Sequence, residues 1–257
     1  MALRVFPGSM TSSDIETIER ATVAAVSPHA VEEFDGWLLA FDSGTVNRAR
    51  SAAPLGHVPV ETAVIDRIEA RYRARGLPTM FRLAREACFD NLRQELARRG
   101  YKTGRPVLVQ VGSVKAMCDV CAATPAETAD LPDAEWAALF LAEGFDPVDG
   151  ASRVKALGRA RHSVYASVRE NGRTVAAGAG AFSYGWSSVH GMRTDQAFRG
   201  RGLAGQVLAG IASVAAQRGI ERVFLQVEDV NTSALALYRR AGLKTVWRYD
   251  YWSQPQA

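Results

Sequence analysis

The 257-residue chain has no apolar run approaching the roughly 18–20 residues of a membrane span. Its first stretch, Met1 to Ser13, lacks the apolar segment of a secretory signal. A cytoplasmic protein with no membrane partner is therefore expected, with Met1 to Ser9 a tail or a misassigned start ahead of Met10. Cysteine is scarce: Cys88, Cys118 and Cys121 are all there is. An odd, small number excludes a disulfide scaffold and suits a reducing compartment. Cys118 and Cys121 form a C-x-x-C, but a zinc site usually takes about four ligands and no second pair exists. No metal is expected, and the two cysteines read as small residues in a linker. The sequence also lacks a Lys/Arg run with interleaved aromatics, and its net charge is only +4. That excludes a nucleic-acid footprint. What remains is ordinary for a globular chain: 47% hydrophobic and 23% charged residues.

Periodicity divides the chain into alternating elements. Trp37, Leu38 and Leu39 predict a strand over Gly36 to Phe41, with Gly44 to Ala52 as its hairpin partner. Ile65, Ile68 and Tyr72 predict a helix over Val60 to Arg75, stopped by Gly76. A short strand over Pro78 to Leu83, a helix over Phe89 to Arg99 capped by Gly100, and a strand over Val107 to Val111 follow. Gly112 to Asp133, rich in Ala, Thr, Asp and Pro, reads as a connector, and Ala134 to Glu143 as a helix. His162 to Arg169 and Thr174 to Phe182 read as strands joined by a Glu-Asn-Gly turn, followed by a strand over Ser187 to Thr194. Leu203, Val207, Ile211 and Val214 share one face of a helix over Leu203 to Gln217. A strand over Arg222 to Val227, a helix over Ser233 to Arg240 and a strand over Lys244 to Tyr251 complete the chain.

The two halves echo each other. Arg75-Gly76-Leu77 followed by Phe81 parallels Arg218-Gly219-Ile220 followed by Phe224, and Arg98 to Thr103 parallels Arg240 to Thr245. Both pairs fall in the same order of helix, strand, helix, glycine, strand. A duplicated unit is inferred, with residues 1–118 and 119–257 as its two copies.

Arg199-Gly200-Arg201-Gly202-Leu203-Ala204 stands between a strand and the strongest helix. Two glycines let backbone approach a ligand closely. The unpaired first-turn amides and the positive end of the helix dipole make an anion site. Arg199 and Arg201 add positive charge, so the chemistry implied is binding of a pyrophosphate. The same string satisfies G-x-G-x-x-G through Gly200, Gly202 and Gly205, and Glu228 ends the next strand, where a ribose-binding acid sits in a nicotinamide-dinucleotide oxidoreductase. Two features weaken that rival. Asp195 to Arg199 intervenes between strand and glycines, and too little chain follows Val227 to build a parallel sheet.

Arg199, Gly202 and Ala204 match the fixed positions of the phosphate loop of the GNAT acyltransferase superfamily. A second segment resembles that superfamily's Asn-x-x-Ala-x-x-Leu-Tyr-x-x-x-Gly-Phe signature through Asn231, Ala234, Leu237, Tyr238 and Gly242, with Leu243 in place of the final Phe. One helix and one strand separate the two motifs, as in the superfamily. The resemblance covers Ala134 to Trp252. It implies the acyl-CoA N-acyltransferase fold, an α/β fold of α+β type: a mixed, mostly antiparallel sheet flanked by helices. The inferred repeat makes that unit duplicated, as an internal pseudo-dimer. Aligned on the repeat, the first half offers Gly56-His57-Val58-Pro59-Val60-Glu61 at the loop and Leu96 at the place of Tyr238. It is expected to bind no CoA.

The resemblance also implies a mechanism: an N-acetyltransferase in which an amine attacks acetyl-CoA directly. Tyr238 matches the proton donor, and a phenol with a pKa near ~10 stays protonated at pH 7. The loop residues Arg199, Gly200, Arg201, Gly202, Leu203 and Ala204 are the expected pyrophosphate cradle. Met192, Arg193 and Thr194 fall on a splayed strand beside pantetheine, whose backbone amides pair with the cosubstrate. Asn231 caps the last helix and hydrogen-bonds near the cosubstrate. His190, with an unperturbed pKa near ~6.5, and Glu228 are the alternatives for a general base. Arg48, Arg50 and Trp37 line an acceptor cleft if the halves face each other, and are solvated strand positions otherwise. Tyr184 and Trp186 are either an aromatic wall or core. Expected partners are acetyl-CoA and an amine acceptor that the fold does not select, in a monomer with an internal pseudo-dimer or in a homodimer. A non-enzymatic alternative, an acyl-CoA-binding regulatory module, keeps the loop but has no need of Tyr238.

Overall fold

Thr11 opens the first helix. Its hydroxyl accepts from the Asp14 amide while the Asp14 carboxylate accepts from the Thr11 amide, closing a capping box around α1 (Ser12–Ala24). In the computed structural model, which describes residues 10–255, the chain continues through β1 (Ala30–Phe34), β2 (Trp37–Phe41), β3 (Ala52–Pro54), α2 (Val64–Arg73) and β4 (Met80–Ala84). Then come α3 (Asp90–Arg98), β5 (Lys102–Thr103), β6 (Val107–Ser113), α4 (Val114–Cys118), β7 (Glu127–Ala129), α5 (Ala134–Leu139) and α6 (Pro147–Gly158). The last elements are β8 (Ser163–Glu170), β9 (Arg173–Ser183), β10 (Trp186–Thr194), α7 (Leu203–Gln217), β11 (Arg222–Glu228), α8 (Thr232–Arg240) and β12 (Lys244–Ser253). The expected tail, Met1 to Ser9, lies outside the described residues.

All strands join one sheet in the order β1-β2-β3-β4-β12-β6-β11-β10-β9-β8-β7, with β5 on the flank of β12. Every pairing is antiparallel except β3 with β4 and β10 with β11. Apart from β7 at one edge, the order is symmetric about the β12–β6 boundary: each side reads last strand, strand, parallel neighbour, then hairpin. The chain crosses that boundary twice. β6, from the first half, pairs with β11, and β12, the final strand, pairs with β4.

Small residues let helices sit directly on β9. A Cβ at Gly180 would lie 2.5 Å from Ile211 Cγ2, so α7 packs against bare backbone on one face. On the other face Ala177 and Ala179 lie under Trp136, Phe140 and Leu157 of the α5–α6 segment. α1 crosses that second face, where Trp186 Nε1 donates to Thr17 Oγ1 at 3.0 Å and Gln226 Nε2 to Thr22 Oγ1 at 2.9 Å. Beneath α1, Glu19 and Arg82 form a buried ion pair.

Three expectations need correction. Gly44 to Ala52 is not a hairpin strand: Asp42 Oδ1 takes the Gly44 amide, Thr45 bonds to Ser152 and Asp149 of α6, and a 3-10 turn follows at Asn47–Ala49. Only Ala52, at its end, joins the sheet, as the first residue of β3 on one side of β2, while β1 on the other side was missed by periodicity because its Glu32 and Glu33 break the apolar alternation. Gly112 to Asp133 is more than a connector. It completes β6, forms α4 and supplies β7, an edge strand on β8. The helix expected to reach Glu143 ends at Leu139, and α6 begins afresh at Asp146, whose carboxylate accepts the Val148 and Asp149 amides. α1 was also unforeseen, although Ile15, Ile18 and Thr22 behind a Thr11 cap are a legible signal.

Candidate acyl-transfer site

β10 and β11 run together only briefly. Ser187, Ser188 and Val189 pair with Val223, Phe224 and Leu225, and there the parallel ladder stops. β11 goes straight on along β6 to Glu228. β10 turns away through a bulge against β9 between His190 and Arg193. The bulge depends on Gly191, which has φ +60° and whose missing Cβ would lie 2.7 Å from Leu157 Cδ1 and 3.2 Å from Phe140 Cζ. A wedge opens between the strands, and the β11-facing edge of Met192, Arg193 and Thr194 has no ladder partner. Such an edge is free to hydrogen-bond an extended amide-bearing ligand.

The wide end of the wedge meets the start of α7. Gly200 and Gly202 both take φ +79°, and Gly202 is the helix N-cap with no side chain capping it. Leu203 is buried while Arg199, Gly200, Arg201 and Gly202 are exposed, so first-turn amides face solvent with the dipole behind them. Arg199 Nε lies 3.4 Å from the Thr194 carbonyl, which ties the turn to the splayed strand. Arg201 pairs with Glu170 at 2.6 and 3.2 Å in an exposed ion pair. Ala204 follows, half-buried in the first turn.

Tyr238 of α8 is 6% exposed and belongs to the apolar cluster that contains Leu203 and Val227 and against which Met192 packs. Burial pushes its phenol up to about 12, so it stays protonated at neutral pH. Asn231 is the α8 N-cap, its Oδ1 accepting the Ala234 amide at 3.2 Å. Glu228 is exposed at the end of β11, 3.4 Å from Arg105. His190 lies on the opposite face from α7. It is 2% exposed, and its Nε2 is 2.8 Å from Ser188 Oγ, while Nδ1 has no partner. Burial and the Arg48 charge hold its imidazole well below the usual histidine range.

The family described as "Probable histone acetyltransferase Rv0428c C-terminal" matches residues 12–252. The chain belongs to this family. It is an acetyltransferase of the GNAT type. A relative described as an uncharacterized N-acetyltransferase, YobR of Bacillus subtilis (strain 168), is 24% identical over 250 residues, 93% of this chain and 98% of the relative. The GCN5-related N-acetyltransferase from Kribbella flavida has the same fold, with a TM-score of 0.70 at 17% identity over 95% of this chain and 96% of the other. A tandem GNAT protein from the clavulanic acid biosynthesis pathway aligns with a TM-score of 0.58 at 12% identity, covering 98% of this chain and 91% of that one.

The acetyltransferase fold also disposes of the dinucleotide rival. β10 and β11 are a parallel pair, but their outer neighbours β9 and β6 are antiparallel, so the parallel sheet of that fold is absent. Of the residues expected at an acceptor cleft, Trp37 and Trp186 are core, Tyr184 is exposed on a turn and Arg50 bonds to Asn47 Oδ1. Arg48 Nη1 lies 3.3 Å from Oε1 of Gln226, the β11 residue that follows the last one paired with β10. Sequence reasoning missed Gly191, whose signal is a lone glycine within a strand. A surface depression of 440 Å³ lined by Glu69, Arg73 and Tyr101 shares no residue with the wedge.

Proposed function

We propose that this acetyltransferase moves the acetyl group of acetyl-CoA to a primary amine by direct attack. The wedge between β10 and β11 carries the proposal, since GNAT acetyltransferases use acetyl-CoA as cosubstrate. The pyrophosphate would sit on the amides of Gly200 to Ala204, with Arg199 beside it. The Arg201–Glu170 pair is exposed and worth only about 0–1 kcal/mol, so a phosphate can compete for the guanidinium. Pantetheine would add to the free edge of Met192, Arg193 and Thr194, with an amide there polarising the thioester carbonyl. Asn231 stands near this ligand but already spends its oxygen on the cap.

In the reaction the amine nitrogen bonds to the thioester carbon, the carbon–sulfur bond breaks and Tyr238 gives its proton to the departing thiolate. A base removes the extra proton from nitrogen. Of the two expected bases, the surroundings favour Glu228, which is solvated at the mouth of the wedge. His190 is poorly suited to hold a proton, because its cation is desolvated beside Arg48. Tyr238 in an apolar setting next to the loop also speaks for an enzyme over a CoA-binding regulatory module.

The symmetric strand order supports a reading of residues 1–118 and 119–257 as two GNAT-like units that exchange their last strands, an internal pseudo-dimer in one chain. The first unit is the silent one. Its counterpart of the loop holds Pro59, which has no amide proton to offer, and no arginine. Three unpaired cysteines suit a cytoplasmic location.

Tyr238→Phe tests the chemistry. Acetyl-CoA affinity should be unchanged while kcat for amine acetylation falls by about a hundredfold or more, the range for loss of a positioned proton donor. A variant with full kcat would remove Tyr238 from the mechanism.

A further inference from the structure

Three arginines from three separate elements converge on the face of the sheet opposite α7. They are Arg48 in the 3-10 turn at Asn47–Ala49, Arg153 on α6 and Arg193 on β10. Thr45 ties the first of these elements to the second, its amide donating to Ser152 Oγ and its hydroxyl to Asp149 Oδ1, both at 2.9 Å. Asp149 Oδ2 in turn lies 2.5 Å from Arg153 Nε and 3.5 Å from Arg193 Nη2. One carboxylate therefore serves two guanidiniums. Arg48 reaches only a neutral partner, Gln226 Oε1, and forms no ion pair among the described residues. Three positive groups against one negative leave an excess of two charges.

That excess is partly withdrawn from water. Arg193 and Arg153 have side chains 23% and 32% exposed, and Arg193 Nε is buried with no hydrogen-bond partner. The Arg193 guanidinium is walled by the rings of Phe145 and Phe140, 4.4 and 5.7 Å away. Burial lowers the pKa of both Arg48 and Arg193, and the Arg153 charge acts on each in the same direction. Buried cations in excess of their counter-charge are costly until a further anion joins them. Their position is informative. Gln226 follows Leu225, the last residue of β11 that pairs with β10, so Arg48 stands at the apex of the wedge, and Arg193 is on its splayed arm.

We propose that the acceptor of this acetyltransferase carries an anionic group, a carboxylate or a phosphate, beside its amine, and that Arg48, Arg153 and Arg193 hold that group. The inference rests on the acetyl-transfer reading of the wedge and names the chemistry of its second substrate. The same positive field disfavours an ammonium, so it holds the anion and raises the share of neutral, nucleophilic amine. It also repels a lysine-rich tail, so a basic protein is a poor acceptor.

The test compares matched amines with saturating acetyl-CoA, following release of the CoA thiol. α-Amino acids are paired with their carboxamides, O-phosphoethanolamine with ethanolamine, and a lysine-rich peptide is the basic arm. The expected result is a higher kcat/KM for the anionic member of a pair, by about ten- to hundredfold, as charge-assisted hydrogen bonds allow. The pair with the larger gap tells carboxylate from phosphate. Arg48→Gln should erase the advantage through KM and leave acetyl-CoA affinity, read by calorimetry, as it was. Equal use of both members, preference for the peptide, or loss of acetyl-CoA affinity in Arg48→Gln overturns the proposal while acetyl transfer itself stands. If acetyl-CoA does not bind the wild-type protein, the acetyl-transfer reading fails. In that case, or if no amine is turned over, titration of the wild-type protein with inorganic phosphate and acetate decides. Binding that Arg48→Gln abolishes sustains the anion site, and absence of binding overturns it.

Discussion

His190 has one polar partner, Ser188, and an orphan Nδ1 in an apolar surround beside Arg48. Its folded pKa is depressed below the unfolded value near ~6.5, so the unfolded chain takes up the proton first. The neutral ring therefore contributes stability above about pH 6.5, and that contribution is lost as pH falls below it, by up to about 1.4 kcal/mol per pH unit. Urea unfolding of wild-type and His190→Gln across that range measures the difference. The variant should lose part of the acid slope, with the remainder assigned in part to His57, which burial also depresses. An unchanged slope would contradict the assignment. At this scale the sequence was unevenly legible. Tyr238 and Asn231 are fixed by a local spacing that survives in any fold containing the motif. The burial of His190 is not local at all, since α1 and the turn bearing Arg48 are far away in the chain and only folding brings them onto its face.

The elements that mattered most were also the most regular. α7 runs from Leu203 to Gln217 as its periodicity predicts, because Gly202 starts it and Gly219 follows it, and apolar residues occupy the whole inward face. The splay of β10 was implied only by resemblance, and its physical cause is Gly191. Replacing it with Ala puts a Cβ against Leu157 and Phe140 at a positive φ. Gly191→Ala should cost about 1–3 kcal/mol of stability, and should weaken acetyl-CoA binding by straightening the free edge of β10. Thermal unfolding and calorimetry on the one variant check both, and wild-type affinity would show that the bulge is dispensable. α6 was missed and the segment from Gly44 to Ala52 misread for a common reason. Each is stabilised by the other through Thr45, Asp149 and Ser152, and such long-range pairs leave no periodic trace in sequence.

Across the whole molecule the repeat suggested two units, but nothing in it announced that β6 would pair with β11 and β12 with β4. Strand partners at the centre of a sheet are chosen by tertiary packing, whereas the repeat records only order along the chain. That pairing has a consequence for truncation. Residues 119–257 alone would expose the β6-facing edge of β11, leave β12 without β4, and bare the apolar surface that Leu108 and Met117 cover. Such a fragment should be insoluble or unfolded, and a soluble monomer with a cooperative unfolding transition would contradict the dependence of β11 and β12 on the strands of the first half.

The central claim is that the wedge and the turn at Gly200 to Ala204 form the molecule's one acyl-CoA site. Calorimetric titration of the intact protein with acetyl-CoA, with NADH in parallel, tests it most directly. The account predicts one acetyl-CoA site per chain, no NADH binding, and loss of the site in Gly202→Glu, which sets a carboxylate where the pyrophosphate would lie. Two acetyl-CoA sites per chain, or binding of NADH alone, would contradict it.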